Sequence, residues 1–296
     1  MRKELPAYTL DFVFHPEHDT SYKHFENGAR HPFQPDPGNG VPRVNAWWLA
    51  ESALLTYWGE KDAIEKFAAA GLTAKFLRAG ATDCYVAWRD GLVIVAFRGT
   101  QPDDKRDLLT DLNIRFMPCR AGRVHCGFME ALDDIWPALE AELTTLAGRK
   151  VWFCGHSLGG ALATLAADRF AETRGVCTFG CPLVGDATFA DDFNDRLRDR
   201  CFRYVNHHDI VTRVPPSLIS YTHVASARFI AKDGSISEAA PSLLEFVGQA
   251  LKAPRAVVDS VSGLWRRTVT SGPPFLLDHM PKAYAIGTWN DYAANG

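Results

Sequence analysis

The sequence of 296 residues predicts an α/β fold, with a mixed but mostly parallel central sheet covered by helices on both faces. Three observations carry that expectation. Short apolar runs of strand length, among them CYVAW, LVIVAF and VWFC, alternate with segments whose apolar residues recur at helical spacing. CYVAW and LVIVAF are separated by Arg89, Asp90 and Gly91, the signature of an antiparallel hairpin, whereas later strands are joined through helical segments. Finally, VWFC passes into ALATLAADRF through only a few residues, GHSLGG, so one strand turns abruptly into one helix.

Taken in chain order, residues 15 to 43 are rich in Pro, Gly, His and Asn and read as an irregular surface arm. Residues 44 to 70 read as helical, with Trp47, Trp48, Leu54, Leu55, Trp58 and Ile64 on apolar faces. The hairpin follows, then a helix over about 128 to 147 and the strand–serine–helix unit of residues 151 to 170. VCTFG (176 to 180), CFRYV (201 to 205) and HVASARFI (223 to 230) are further strands. Residues 231 to 275 read as a helical insertion, with Leu243, Leu244, Val247 and Leu251 on one face and, after Pro254, Val257, Val258, Val261, Leu264 and Trp265 on another. There are no internal repeats. The expected organisation is a single domain over 1 to 296, with 1 to 80 as arm and helical extension.

Composition narrows the function. A 47% hydrophobic and 23% charged chain is ordinary for a globular protein. A formal charge of −3 offers no basic footprint for nucleic acid, so none is expected as a partner. No apolar run reaches the roughly 18 to 20 residues of a membrane span, so no transmembrane segment is expected. The start, MRKELPAYTLDFVF, lacks the apolar core of a secretory signal. Seven cysteines, an odd number without a CxxC pair, read as reduced core thiols in a cytoplasmic protein. A zinc site needs close Cys/His pairs, and none is apparent, so no metal is expected.

The chemistry concentrates at Ser157 in GHSLG, an instance of G-x-S-x-G. A serine hydroxyl held at the end of a strand needs a tight turn in which bulky side chains at Gly155 and Gly159 would collide with neighbouring backbone. The following helix aims its free N–H groups and positive dipole end at the same point. The alternative is a glycine-rich helix entry with an incidental serine. A nucleophilic serine needs a histidine base, itself oriented by a carboxylate, with chain order Ser, acid, His. Asp209, between a strand and the break at Pro215 and Pro216, suits the acid, and Asp186 is its rival. His279 in LDHMPKAY suits the base, and His223, opening a strand-like run, suits a structural role.

The segments VAFRGT, VHCGF, GHSLGGALATLAA, TFGCPLVG, RYVNHHDIVTRVPP and DHMPKAY occur in this order over residues 93 to 284. In them the chain resembles the class 3 lipases, the fungal-lipase-like branch of the α/β-hydrolases. The resemblance implies Ser157 as nucleophile, Asp209 as orienting acid, His279 as base, and an oxyanion hole made by Thr100 and the N–H of Leu158. It implies no cofactor, and a lipid or acyl ester as substrate with a transient contact to a lipid interface. It makes His125 and His156 structural neighbours of the serine, and Arg98 an anchor for its own loop, toward Asp104 or Asp111. Two segments depart from the family pattern. The stretch after FRGT, QPDDKRDLLTDLNIRF, is highly charged for an apolar lid, and the 231 to 275 insertion is the other candidate for a cap. A catalytically silent hydrolase fold that binds acyl ligands or a protein partner is the alternative from another class.

Overall fold

The computed structural model describes residues 2–4, 15–99, 115–214, 220–238 and 277–296. Its centre is an eight-stranded sheet of β1 (Thr73–Ala79), β2 (Thr82–Arg89), β3 (Leu92–Phe97), β6 (Lys150–His156), β7 (Thr173–Phe179), β8 (Cys201–Asn206), β9 (Ser226–Ile230) and β10 (Ile236–Ser237), adjacent in that order. The first three strands and the last pair are antiparallel, and β3 through β9 run parallel. A separate two-stranded hairpin joins β4 (Phe116–Pro118) to β5 (Arg123–His125). The fold class expected from the sequence is the one observed.

Strand alternation divides the core. On β3, Leu92, Ile94 and Ala96 face one apolar cluster, and Val93, Val95 and Phe97 face the other. The first cluster is completed by α1 (Arg43–Leu55), α2 (Glu60–Ala69) and α6 (Pro281–Asn295), through Trp47, Trp48, Phe67, Tyr284 and Trp289. The second is completed by α3 (Cys126–Thr145), α4 (Leu158–Arg169) and α5 (Ala187–Leu197), through Leu132, Leu139, Leu162, Leu165 and Phe193. Helices therefore cover both faces, which leaves the carboxyl ends of the parallel strands as the place where loops converge.

Several elements differ from the sequence reading. The expected helix over 44 to 70 is two helices, interrupted between Leu55 and Glu60, with Gly59 as the N-cap of α2. The arm is irregular but does not lie loosely on the surface. Phe25 and Phe33 are buried, with Phe33 edge-on to Trp152 at 5.2 Å. Trp152 Nε1 donates to Pro35 O at 3.0 Å, and Arg174 Nε to Asp36 Oδ1 at 2.8 Å. Aromatic burial thus straps the arm to β6 and β7. The strand expected to open at His223 starts at Ser226. The first residues of the expected insertion form a turn and the short strand β10 rather than a helix, and residues 239 to 275, including Trp265, lie outside the described residues. So do residues 101 to 114 of the charged segment, whose last residue, Phe116, opens β4.

Candidate active site

Ser157 stands between β6 and α4 with φ 58° and ψ −129°, a conformation L-residues seldom adopt. Its N–H donates to Phe179 O at 2.9 Å, which pins the turn to the end of β7. A Cβ on Gly155 would lie 2.1 Å from Gly159 O, and one on Gly159 would lie 2.2 Å from Phe97 O. Steric demand therefore accounts for both glycines of the pentapeptide, as the sequence reading expects. Leu158 is the first residue of α4, where backbone N–H groups have no intrahelical acceptor. Thr100, the other expected oxyanion residue, lies outside the described residues.

Asp209 and His279 are 70 positions apart in sequence and meet at the same end of the sheet. Asp209 follows β8 and is fully buried. Its Oδ1 accepts the N–H of Val211 at 2.9 Å, so this oxygen caps the short turn Ile210–Arg213. Its Oδ2 accepts His279 Nδ1–H at 2.8 Å. The other ring nitrogen of His279, Nε2, is buried and has no hydrogen-bond partner among the described residues. That nitrogen is the one a base would use, and in this conformation it is not bonded to Ser157 Oγ. Loose nucleophile–base contacts of this kind are common before substrate binds.

What links the serine turn to the histidine loop is His156. Its Nε2–H donates to the His279 carbonyl at 2.8 Å, and the two rings lie 4.4 Å apart. With Nε2 donating, Nδ1 accepts from the Tyr57 hydroxyl at 2.8 Å. His125 is likewise structural: its Nδ1 accepts the Phe128 N–H as the N-cap of α3. His223 donates from Nε2 to Thr212 O at 2.7 Å, and burial drives its basicity down to about 3. Asp186, the rival acid, caps α5 through Phe189 N and pairs with Arg123 at 3.0 Å. Arg98 does anchor its own segment, pairing with Asp83 at 3.2 Å. Its expected partners, Asp104 and Asp111, lie outside the described residues.

Three supporting residues escape the sequence reading. Tyr284, in the first turns of α6, donates its hydroxyl to Asp209 Oδ2 and accepts the Asn206 N–H at 3.1 Å. Burial and the neighbouring Asp209 charge push the Tyr284 phenol well above its ordinary value, so it stays a donor. Asp278 binds the Asp209 loop from the histidine side, accepting from His207 Nδ1 and His208 N, each at 3.1 Å. Gly180 has φ +59°, and a Cβ there would stand 2.7 Å from Asp209 Oδ2 and 2.9 Å from His279 Nδ1. The presence of Tyr284 and Gly180 inside DHMPKAY and TFGCPLVG was the available signal; their contacts were not.

A serine on a strained strand-to-helix turn, with a buried Asp–His pair beside it on a mostly parallel sheet, defines an α/β-hydrolase fold. Residues 94–219 match the model of the family Lipase (class 3). His279 lies beyond the matched segment. The chain is 32% identical over 146 residues to a lipase of Rhizopus niveus, covering 44% of this chain and 36% of that protein. It is 30% identical over 161 residues to secreted mono- and diacylglycerol lipase 1 of Fusarium solani, covering 49% and 47%. The solved lipase of Rhizopus microsporus var. chinensis superposes with a TM-score of 0.51 at 25% identity, over 67% of this chain and 73% of that one. The chain thus spans between a third and a half of the length of these two curated relatives.

The expectation of a cytoplasmic protein is overturned by these comparisons, since the Fusarium relative is by name secreted. The physical reason lies in the thiols on which that expectation rested. All seven cysteines are free, and Cys84, Cys154, Cys177, Cys181 and Cys201 are buried. A buried thiol packs as a small hydrophobe in either compartment, so an odd count of them carries no information about location. Among the described residues no helix is long and apolar enough to cross a membrane.

Proposed function

We propose that the chain is a serine carboxylester hydrolase that cleaves lipid or acyl esters through an acyl-enzyme. The observation that carries this reading is the buried His279–Asp209 hydrogen bond, which leaves His279 Nε2 unpaired next to the strained Ser157 turn. In this reading Ser157 Oγ attacks the ester carbonyl and passes its proton to His279 Nε2. Asp209 holds the ring in the Nδ1–H tautomer and stabilises the imidazolium. The Leu158 N–H, with Thr100, receives the charge that develops on the carbonyl oxygen. The imidazolium then protonates the departing alcohol, and the same nitrogen activates water to release the acid. The lipid character of the substrate is supported by the family and by the mono- and diacylglycerol lipase among its relatives. The secreted relative also supports action outside the cell. We take residues 1 to 296 as one domain.

A fluorophosphonate probe followed by peptide mapping should label Ser157, and Ser157→Ala should abolish labelling while kcat for p-nitrophenyl esters falls by about 10⁶. A folded protein that neither labels nor turns over any ester length would be the silent acyl-binding fold instead.

A further inference from the structure

The first turn of the arm gathers three side chains that the hydrolase reading leaves without a task. His15, Glu17 and His18 surround the 3₁₀ turn Pro16–His18, and one donor atom from each lies within 4.8 Å of the others. His15 Nδ1 and Glu17 Oε1 are 3.3 Å apart. Two ligands of one tetrahedral ion, each about 2.1 Å from it, stand roughly 3.4 Å apart, so this pair already has the spacing of ligands that share a metal. The two imidazoles stack, 4.7 Å between centroids and 8° between planes, which puts both rings on one side of the turn.

The charge supports the same reading. Glu17 Oε2 is buried and has no hydrogen-bond partner among the described residues. An unsatisfied carboxylate oxygen is costly, and a cation at the cluster would remove that cost. Buried Pro16 fixes the backbone between the ligands. Two imidazoles and one carboxylate, without a thiolate, suit zinc, nickel or copper rather than calcium or magnesium.

We propose that His15, Glu17 and His18 form a binding site for a divalent transition metal of the zinc class, with water completing the coordination. The sequence reading expected no metal because it sought paired Cys/His spacings. It passed over H-P-E-H, whose histidines eclipse each other only because i and i+3 side chains coincide on a 3₁₀ turn.

The test uses the full chain, stripped with EDTA, freed of chelator and titrated with Zn²⁺ by calorimetry and with Co²⁺ by visible absorption. One equivalent should bind. His15→Ala/His18→Ala and Glu17→Gln should each weaken it by more than the roughly 10- to 100-fold that loss of an outer-shell partner costs. His207→Ala/His208→Ala should bind as the parent does, and metal-free melting temperatures should agree. If the arm variants do not fold, zinc should still protect His15 and His18 of the unaltered chain from diethylpyrocarbonate. No stoichiometric binding, binding that survives His15→Ala/His18→Ala, or the absence of protection would overturn the site.

Discussion

Asp209 divides its oxygens between two tasks, one holding its own turn and the other facing His279 and Tyr284. Asp209→Asn should therefore lower kcat by about 10⁴, since an amide favours the wrong histidine tautomer. Tyr284→Phe removes a donor to that carboxylate and leaves the Asn206 N–H unmatched. We expect kcat to fall about tenfold, equivalent to roughly 1.4 kcal/mol in the barrier, with KM nearly unchanged. An unchanged kcat would show that the phenol only fills space. Gly180→Ala should do more damage than its volume suggests, because its Cβ meets both Asp209 and His279 and its φ is positive. Steady-state kinetics beside a melting curve would show activity lost out of proportion to stability. The contacts of Tyr284 and Gly180 were not legible from the motifs. A glycine or tyrosine inside a motif has no visible partner until the chain folds.

Among the elements, α5 shows why a carboxylate's position in a motif does not assign its role. Asp186 lies in GCPLVGD, yet its side chain caps a helix and pairs with Arg123. Asp186→Ala should cost about 1 kcal/mol or somewhat more in urea unfolding and leave kcat close to the parent value. A collapse of kcat with unaltered stability would return Asp186 to candidacy as the triad acid. The elements missed in the sequence have identifiable causes. β1 is an edge strand carrying Lys75 and Arg78, and such charge masks an apolar run. In α6, every residue from Pro281 to Asp291 is buried, so the helix shows no polar face and no periodic contrast. The hairpin, α3 and the β6–α4 unit contrast more sharply with their surroundings, and these were read correctly.

Across the whole molecule, the arm belongs to the core. Phe33→Ala should lower stability by about 3–5 kcal/mol, as at other buried aromatics, and a negligible change in urea midpoint would return the arm to the surface. Acid should destabilise the fold partly through His223. Burial lowers its folded-state pKa from 6.5 to about 3, so below pH 6.5 the unfolded chain binds the proton and the folded chain does not. Stability is then lost as pH falls from about 6.5 toward 3, with a slope of up to one proton, about 1.4 kcal/mol per pH unit. His223→Gln should flatten that slope in urea titrations. A parent-like slope in the variant would assign the acid sensitivity to other groups, such as His125 or His208, whose protonation burial also opposes.

Residues close in sequence carried the strand-to-helix turn at Ser157, because periodicity, glycine sterics and helix polarity act over a few positions. The ordering of serine, acid and histidine came instead from the chain order of this fold and from the family resemblance. Which carboxylate meets which histidine was settled by folding. Asp209 and His279 come together only because β8 lies beside β7 and α6 packs with α1 on one face of the sheet, against β8. The arm's burial against Trp152 arises in the same way, from a distance between chain segments that no local pattern records.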